Sequence, residues 1–140
     1  MRKAGINTAG AAALLALGMA AGHRVAPEEQ PWRDAYVMSV YDGDTYTASV
    51  DLGFQTVIVE DFRLLGIDTP EVTGEGKERG MEVRDYVQAM MEGRMIQLRE
   101  HGQEKYGRWL AETRVDGRDL TEHLIRQKMG VRYDGGKRGE

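Results

Sequence analysis

The centre of this sequence is a run of nine residues, Arg63-Leu64-Leu65-Gly66-Ile67-Asp68-Thr69-Pro70-Glu71. Its apolar residues are typical of a buried strand, and Pro70 disfavours a helical conformation at Thr69. Asp68 and Glu71 therefore leave the strand at a fixed bend, a few residues after Arg63. The run predicts one guanidinium and two carboxylates held on a rigid support.

A regular alternation of side chains precedes this run. Residues 45–52 alternate strictly between polar and apolar side chains, which is the signature of a half-buried strand. The apolar set is Tyr46, Ala48, Val50 and Leu52. A strand over residues 36–41 comes before it, and Asp42-Gly43 supplies the turn between the two.

The nine-residue run itself belongs to a third predicted strand. Gly53 ends the second strand, and residues 55–67 are long enough as a strand to need a bulge or strong coiling. Phe62, Leu64 and Ile67 are predicted to face the core. Three consecutive antiparallel strands make a meander.

A helix and two more strands follow. The segment 71–79 is rich in glycine and charge and predicts a mobile loop, and the next apolar residues recur at helical spacing until Gly93. These residues are Val83, Tyr86, Val87 and Met90. Ile96 and Leu98 then mark a fourth strand, and residues 109–115 a fifth.

The last predicted element is a second helix. Asp116-Gly117 turns the chain, and Asp119 with Glu122 makes a capping box. One apolar face follows before Gly130, formed by Leu120, Leu124, Ile125 and Met129. Five strands with a helix between the third and fourth, followed by a C-terminal helix, predict an α+β fold: a five-stranded OB-fold β-barrel with helices.

Length and composition favour one domain of ordinary soluble character. The chain has 140 residues, of which 41% are hydrophobic and 30% charged, so it can build a single core. A net charge of −4 argues against a protein that coats nucleic acid through a broad basic face. With no cysteine, disulfides and thiolate metal sites are excluded, and the compartment stays open.

The N-terminus has the pattern of a secretory signal. Met1-Arg2-Lys3 is basic, residues 9–22 carry no charge, and small residues lie near a predicted cleavage point at His23. The uncharged run is too short to span a bilayer, so no stable membrane association is expected. We expect a signal peptide at 1–22 and a secreted or periplasmic protein; the alternative is an intracellular protein with an N-terminal extension. The predicted division continues with a linker at 23–33, a domain at 34–133 and a flexible tail at 134–140.

Three motifs resemble those of the staphylococcal nuclease (thermonuclease) family. They are Asp42-Gly43-Asp44-Thr45, the run from Arg63 to Glu71, and Lys105-Tyr106-Gly107-Arg108. The resemblance covers about residues 34–133. It implies the OB-fold barrel that the strand pattern also favours.

Two of the acids in these motifs predict a cation site. Antiparallel neighbours would bring Asp44 and Asp68 to one end of the barrel, where their charges repel each other without a cation. Hard oxygen ligands suit Ca²⁺ or Mg²⁺. The resemblance implies calcium, bound by both side chains and by the backbone carbonyl of Thr69. An EF-hand starting at Asp42 is excluded, because its sixth and twelfth positions hold Thr47 and Gly53.

The remaining motif residues predict phosphate chemistry. A guanidinium can grip two phosphate oxygens at once, and the resemblance implies that Arg63 and Arg108 hold the scissile phosphate. It also implies that Glu71 is the general base for an attacking water. Phosphate binding by Lys105 and Tyr106 and base stacking by Tyr133 are implied in the same way.

The sequence thus predicts a calcium-dependent nuclease. Its substrate would be DNA, RNA or both, and the family implies 5′-hydroxyl and 3′-phosphate products. We expect a monomer. The alternative is a non-catalytic OB-fold module that binds single-stranded nucleic acid or a protein partner. A restriction-type site built on Glu75-Gly76-Lys77 is disfavoured, because these residues are predicted to lie in a loop instead of on a strand.

Overall fold

The structure is a computed structural model, and it describes residues 28–135. The predicted signal peptide at 1–22, residues 23–27 of the predicted linker and residues 136–140 of the predicted tail lie outside the described residues. The elements are β1 (Arg33–Asp42), β2 (Thr45–Gly53), β3 (Thr56–Leu64), β4 (Ile67–Asp68), α1 (Lys77–Met91), β5 (Met95–Gln103), β6 (Trp109–Val115), β7 (Arg118–Asp119), α2 (Leu120–Arg126) and β8 (Val131–Arg132).

Five long strands close into a barrel. Strands β3, β2, β1, β5 and β6 are neighbours in that order, all antiparallel. A parallel pairing of β3 with β6 joins the two ends, with Phe62 opposite Trp109 and Leu64 opposite Ala111. The predicted five-stranded OB-fold barrel with two helices is confirmed.

The predicted alternation places the core as expected. Tyr46, Ala48 and Val50 of β2 are buried, and so are Phe62 and Leu64 of β3. The Tyr46 and Phe62 rings stack with centroids 5.6 Å apart, and the buried Tyr46 hydroxyl lies 2.7 Å from Thr113 Oγ1. The barrel interior is therefore apolar, with its one buried phenol hydrogen-bonded.

Helix α1 covers the barrel with the face that the sequence predicted. Val83 and Val87 are fully buried, and Tyr86 and Met90 pack at the edge of the core. The helix begins at Lys77, so the predicted loop over 71–79 is too long at its C-terminal end. Gly76 precedes the helix in a left-handed conformation and offers no side-chain cap, so the sequence carries no capping signal for this start.

The predicted third strand is wrong in one respect. It does not run unbroken to Ile67, because β3 ends at Leu64 and the chain turns at Leu65-Gly66, where Gly66 has φ 83°. Ile67 and Asp68 form the short strand β4, which pairs with β8 instead of the barrel. This turn moves Asp68 off the barrel sheet and aims it across the barrel end.

The second helix is also shorter than predicted. Asp119 caps it as expected, since its side chain accepts a hydrogen bond from the Glu122 amide at 2.8 Å. The helix ends at Arg126, and Met129 lies in the turn that follows. Of the helices in the part of the chain that the structure describes, none is long and apolar enough to cross a membrane.

Candidate active site

The turn between β1 and β2 is buried at the end of the barrel. Asp42, Gly43 and Asp44 are all buried, and the Asp44 amide donates to Asp42 Oδ1 at 3.1 Å. A Cβ at Gly43 would lie 2.6 Å from Val83 Cγ1 and 2.8 Å from Thr69 Oγ1. Only glycine fits this position without a shift, and the close fit fixes Asp44 against the Thr69 bend.

Asp44 and Asp68 meet at the guanidinium of Arg63. Arg63 Nη2 lies 3.3 Å from Asp68 Oδ1 and 3.7 Å from Asp44 Oδ2, and all three side chains are largely buried. The Thr69 amide donates to Asp44 Oδ2 at 3.0 Å, which ties the β1–β2 turn to the bend after β4. Residues far apart in sequence thus form one cluster of two acids and one base.

Asp42 adds a third carboxyl group behind this cluster. Burial raises the pKa of Asp42 to about 7, and the negative charge of Asp44 contributes in the same direction. The barrel end therefore holds more buried acid than its cations neutralise, which is the electrostatic setting that a divalent cation would relieve.

Arg108 approaches the cluster from the loop between β5 and β6. Its Nε and Nη2 atoms bind the two oxygens of Glu104, each at 2.9 Å. Its Nη1 donates to Thr45 Oγ1 at 3.3 Å, and that hydroxyl donates to Asp44 Oδ1 at 3.1 Å. The hydrogen bond from Arg108 lowers the pKa of Glu104, so the pair stays ionised.

Glu71 follows the bend at the edge of the cluster. Its side chain is exposed and lines a groove of about 560 Å³ together with Asp68, Thr69 and Pro70. A Cβ at Gly80 would overlap the Glu71 carbonyl, so the bend packs directly on the backbone of helix α1. The helix therefore fixes the backbone from which Glu71 projects.

The three predicted substrate-binding residues surround the two arginines. Tyr133 lies beside Arg63, with the guanidinium carbon 5.4 Å from the ring centroid, and its amide donates to the Gly66 carbonyl. Tyr106 is 72% exposed and lies 5.9 Å from the Arg108 guanidinium carbon and 5.0 Å from Lys105 Nζ. The Tyr133 and Tyr106 rings thus each lie close to one of the two guanidinium groups.

The side chains at this end fit a hard cation. Two carboxylates converge, and Thr69 Oγ1 is buried without a hydrogen-bond partner among the described residues. Within residues 28–135, no three histidine, cysteine or acidic side chains group as a metal site. A cation here would take two carboxylates, with carbonyl and water oxygens completing the set, as calcium accepts.

Three residues of the site were not predicted from the sequence. Asp42 was interpreted as a turn residue, although it stands two positions from Asp44. Thr45 connects Arg108 to Asp44, and Glu104 holds Arg108 from four residues away. The Glu104–Arg108 spacing was a usable signal, whereas the Thr45 contact depends on the fold.

These features define an OB-fold domain with a cluster of acids and arginines at one barrel end, which suggests a nuclease-type or nucleic-acid-binding function. Residues 61–138 match the sequence profile of the family described as staphylococcal nuclease homologue. The match covers more than half of the chain, and the protein belongs to this family. Asp44 lies before the matched segment, and the fold brings it to Arg63 and Asp68. A search of the curated proteins finds no match.

Proposed function

We propose that this protein is a calcium-dependent nuclease that hydrolyses phosphodiester bonds in DNA, RNA or both. The observation that carries the proposal is that Asp44 and Asp68 both contact the guanidinium of Arg63. Glu71 follows Asp68 closely, at the end of the same bend. A binding module has no need for two buried acids beside a phosphate-binding arginine. A metal-assisted hydrolase uses each of these groups.

Asp44, Asp68 and the Thr69 carbonyl are the proposed calcium ligands. Calcium would polarise a phosphate oxygen and hold water close to phosphorus. Asp44 is well fixed for this role, because the Thr69 amide and the Thr45 hydroxyl hold its two oxygens. Its orientation therefore does not depend on the cation.

The two arginines stabilise the charge that develops during cleavage. As water attacks phosphorus, negative charge builds on the non-bridging oxygens, and Arg63 and Arg108 would donate hydrogen bonds to them. In the structure both guanidinium groups are engaged by carboxylates, Arg63 by the two ligand acids and Arg108 by Glu104. Substrate oxygens would share or replace these partners.

Glu71 is the proposed general base. Its carboxylate would accept a proton from the attacking water as the new oxygen–phosphorus bond forms. The bond from phosphorus to the 5′ oxygen then breaks, and the leaving oxygen takes a proton from solvent, which leaves a 5′-hydroxyl and a 3′-phosphate. Exposure of Glu71 in the groove supports this role, since a base for water needs access to solvent and substrate.

Lys105, Tyr106 and Tyr133 complete the proposed substrate contacts. Lys105 and Tyr106 would bind a neighbouring phosphate, and Tyr133 would stack on a base beside Arg63. The exposure of Tyr106 supports the first contact, and the position of Tyr133 next to Arg63 supports the second.

Digestion of plasmid DNA and RNA tests the proposal directly. Cleavage is expected in calcium, with loss in excess EDTA, because the buried acids need a hard cation to complete the site. Asp44→Ala should abolish calcium-dependent cleavage, and Asp51→Ala, an exposed acid on the same hairpin, is the matched control. Undiminished cleavage by Asp44→Ala in EDTA would contradict the metal assignment.

An oligonucleotide-binding measurement beside the digestion separates the nuclease from a binding module. A wild-type protein that binds oligonucleotides in calcium but never cleaves them would overturn the enzymatic proposal.

A further inference from the structure

The groove beside Glu71 extends well past the proposed catalytic residues. One wall is the bend, and the other is the turn after helix α2. We call it the Lys128 groove; its lining is Asp68, Thr69, Pro70, Glu71, Arg79, Ile125, Lys128, Met129, Gly130 and Val131. Of these residues, the proposed nuclease mechanism uses only Asp68, Thr69 and Glu71.

Lys128 occupies a backbone position that normally favours glycine. Its amide donates to the Ile125 carbonyl, and the Met129 amide donates to the Leu124 carbonyl, which is the Schellman pattern that ends a helix. Lys128 is the left-handed residue of this motif, with φ 58°. A lysine is disfavoured there relative to glycine, so its side chain is a candidate for a role that offsets the strain.

A second cation is fixed next to Lys128. Arg79, in the first turns of helix α1, donates from Nη2 to the Lys128 carbonyl at 3.1 Å. Its Nη1 pairs with Glu82 at 3.0 Å, so its positive charge is partly neutralised. Arg79 is about half exposed, and it therefore remains open to a ligand in the groove.

The rest of the wall is apolar and closely packed. A Cβ at Gly130 would lie 2.6 Å from Ile67 Cδ1, so the turn sits directly on the core residue before Asp68. Val131 is 67% exposed, and Ile125 and Met129 are partly buried beside it. The groove thus joins an apolar surface to two cations, while Asp68 and Glu71 lie on the opposite wall.

We propose that the Lys128 groove binds the nucleotide next to the scissile phosphate on the Glu71 side. Lys128 and Arg79 contact the phosphate of that nucleotide, and its base or sugar lies on the apolar wall. This inference rests on the proposed nuclease function and names its preferred substrate: a strand that continues past the cleaved bond. Charge complementarity and continuity with the catalytic end identify the occupant as a nucleic-acid strand.

Lys128→Gly is the main test, because it removes the cation and leaves a residue that suits the left-handed backbone. Its thermal stability should equal or exceed that of the wild type. Its affinity for a ten-nucleotide phosphorothioate strand, followed by fluorescence anisotropy, should fall about threefold. The slope of log affinity against log salt should become shallower by about 0.7, the value for one phosphate contact on a single strand.

Substrate length gives a second readout. The loss in kcat/KM for Lys128→Gly and for Arg79→Gln should be larger on a ten-nucleotide strand than on a dinucleotide, which does not reach along the groove. Arg126→Gln is the matched control, because Arg126 is an exposed base on helix α2 outside the groove. It should change neither the affinity nor the length dependence.

The outcomes separate this inference from the proposed function. A wild-type protein that binds the phosphorothioate strand but cleaves no ordinary DNA or RNA strand, with weaker binding by Lys128→Gly, would keep the groove and overturn the nuclease. Cleavage with an unchanged affinity and salt slope for Lys128→Gly would overturn the groove and keep the nuclease. An equal loss in Arg126→Gln would reduce the effect to net charge and also overturn the groove.

Discussion

The two arginines of the candidate site are held by different parts of the molecule. Arg63 lies on the barrel strand β3, between Asp44 of the β1–β2 turn and Asp68 of β4, and its side chain is 11% exposed. Arg108 lies at the end of the β5–β6 loop and is held by Glu104, a partner four residues away, with 29% exposure. Arg63 is fixed by the fold, and Arg108 mainly by its own loop, with one longer hydrogen bond to Thr45 of β2.

The difference separates two contributions to the site. The strand-borne half of the site, Arg63 with Asp44 and Asp68, couples charge to folding, because Arg63 partly neutralises the two acids across the barrel end. The loop-borne half of the site is Arg108 with Glu104, an ion pair within one loop. This pair can separate without disturbing the barrel. Catalytic power is expected from both arginines, but stability mainly from the first.

Alanine at each arginine tests this comparison with the largest expected effect. Arg63→Ala and Arg108→Ala should each lower kcat by roughly 10² or more, since each removes a donor to the charge that develops on phosphate. Without metal, Arg63→Ala should also lower the free energy of unfolding by about 2 kcal/mol, because Asp44 and Asp68 lose their shared partner. Urea unfolding and single-turnover cleavage measure the two effects.

Calcium supplies the control for that pair of variants. Saturating calcium should recover much of the stability of Arg63→Ala, because a cation again lies between the acids. Arg108→Ala should unfold like the wild type in both conditions. Equal destabilisation of the two variants would remove the distinction between the halves, and collapse of the circular dichroism spectrum of either would make that arginine structural.

Local patterns predicted the strand-borne half better than the loop-borne half. Alternation over 45–52 placed β2. Asp44 and Asp68 do meet at one end of the barrel, but Asp68 reaches it from β4 and not from the end of a strand next to β2, as the sequence predicted. The break at Gly66 escaped prediction, because β4 pairs with β8, which follows more than sixty residues later. The partner of Arg108 was missed for another reason: Glu104 lies just before the Lys105–Arg108 motif, and the resemblance gives roles only to residues within that motif.

The helix ends explain the other errors. Helix α1 starts after Gly76, where no side-chain cap marks the position. Helix α2 ends in a Schellman turn whose left-handed residue is Lys128 instead of glycine. Because no glycine marks this end, the apolar spacing predicts a helix that continues to Met129. Propensity patterns miss a boundary when the usual capping residue is absent.

Asp42 provides a smaller test of the strand-borne half. Its carboxyl has a pKa of about 7 in the folded protein, above the ordinary value of 3.8, so the native state holds this proton more tightly than the unfolded chain. Its contribution to stability is therefore present below about pH 4 and is lost as the pH rises to about 7. Asp42→Asn should make metal-free stability less dependent on pH between 5 and 8, by about 2 to 3 kcal/mol, because the native carboxyl holds its proton over about two pH units above pH 5. Urea unfolding at both pH values checks this.

Asp61 provides the matched control for Asp42→Asn. Asp61→Asn removes an exposed acid on the neighbouring strand β3 and should leave the pH dependence close to that of the wild type. An unchanged pH dependence in Asp42→Asn would mean that Asp42 ionises freely, and that the barrel end carries less excess acid than the proposed cation site needs.

The most direct test of the nuclease assignment is Glu71→Gln, measured for both cleavage and binding. Glutamine keeps the volume and hydrogen-bonding capacity of Glu71 but cannot accept the proton, while Asp44, Asp68 and the arginines remain. The cleavage rate should fall by about 10² to 10⁴, the usual range for losing a general base. Calcium-dependent affinity for a short oligonucleotide should stay the same or rise, because one negative charge near the phosphate is gone. Cleavage at the wild-type rate, or a joint loss of cleavage and binding, would contradict the role of Glu71 as the base.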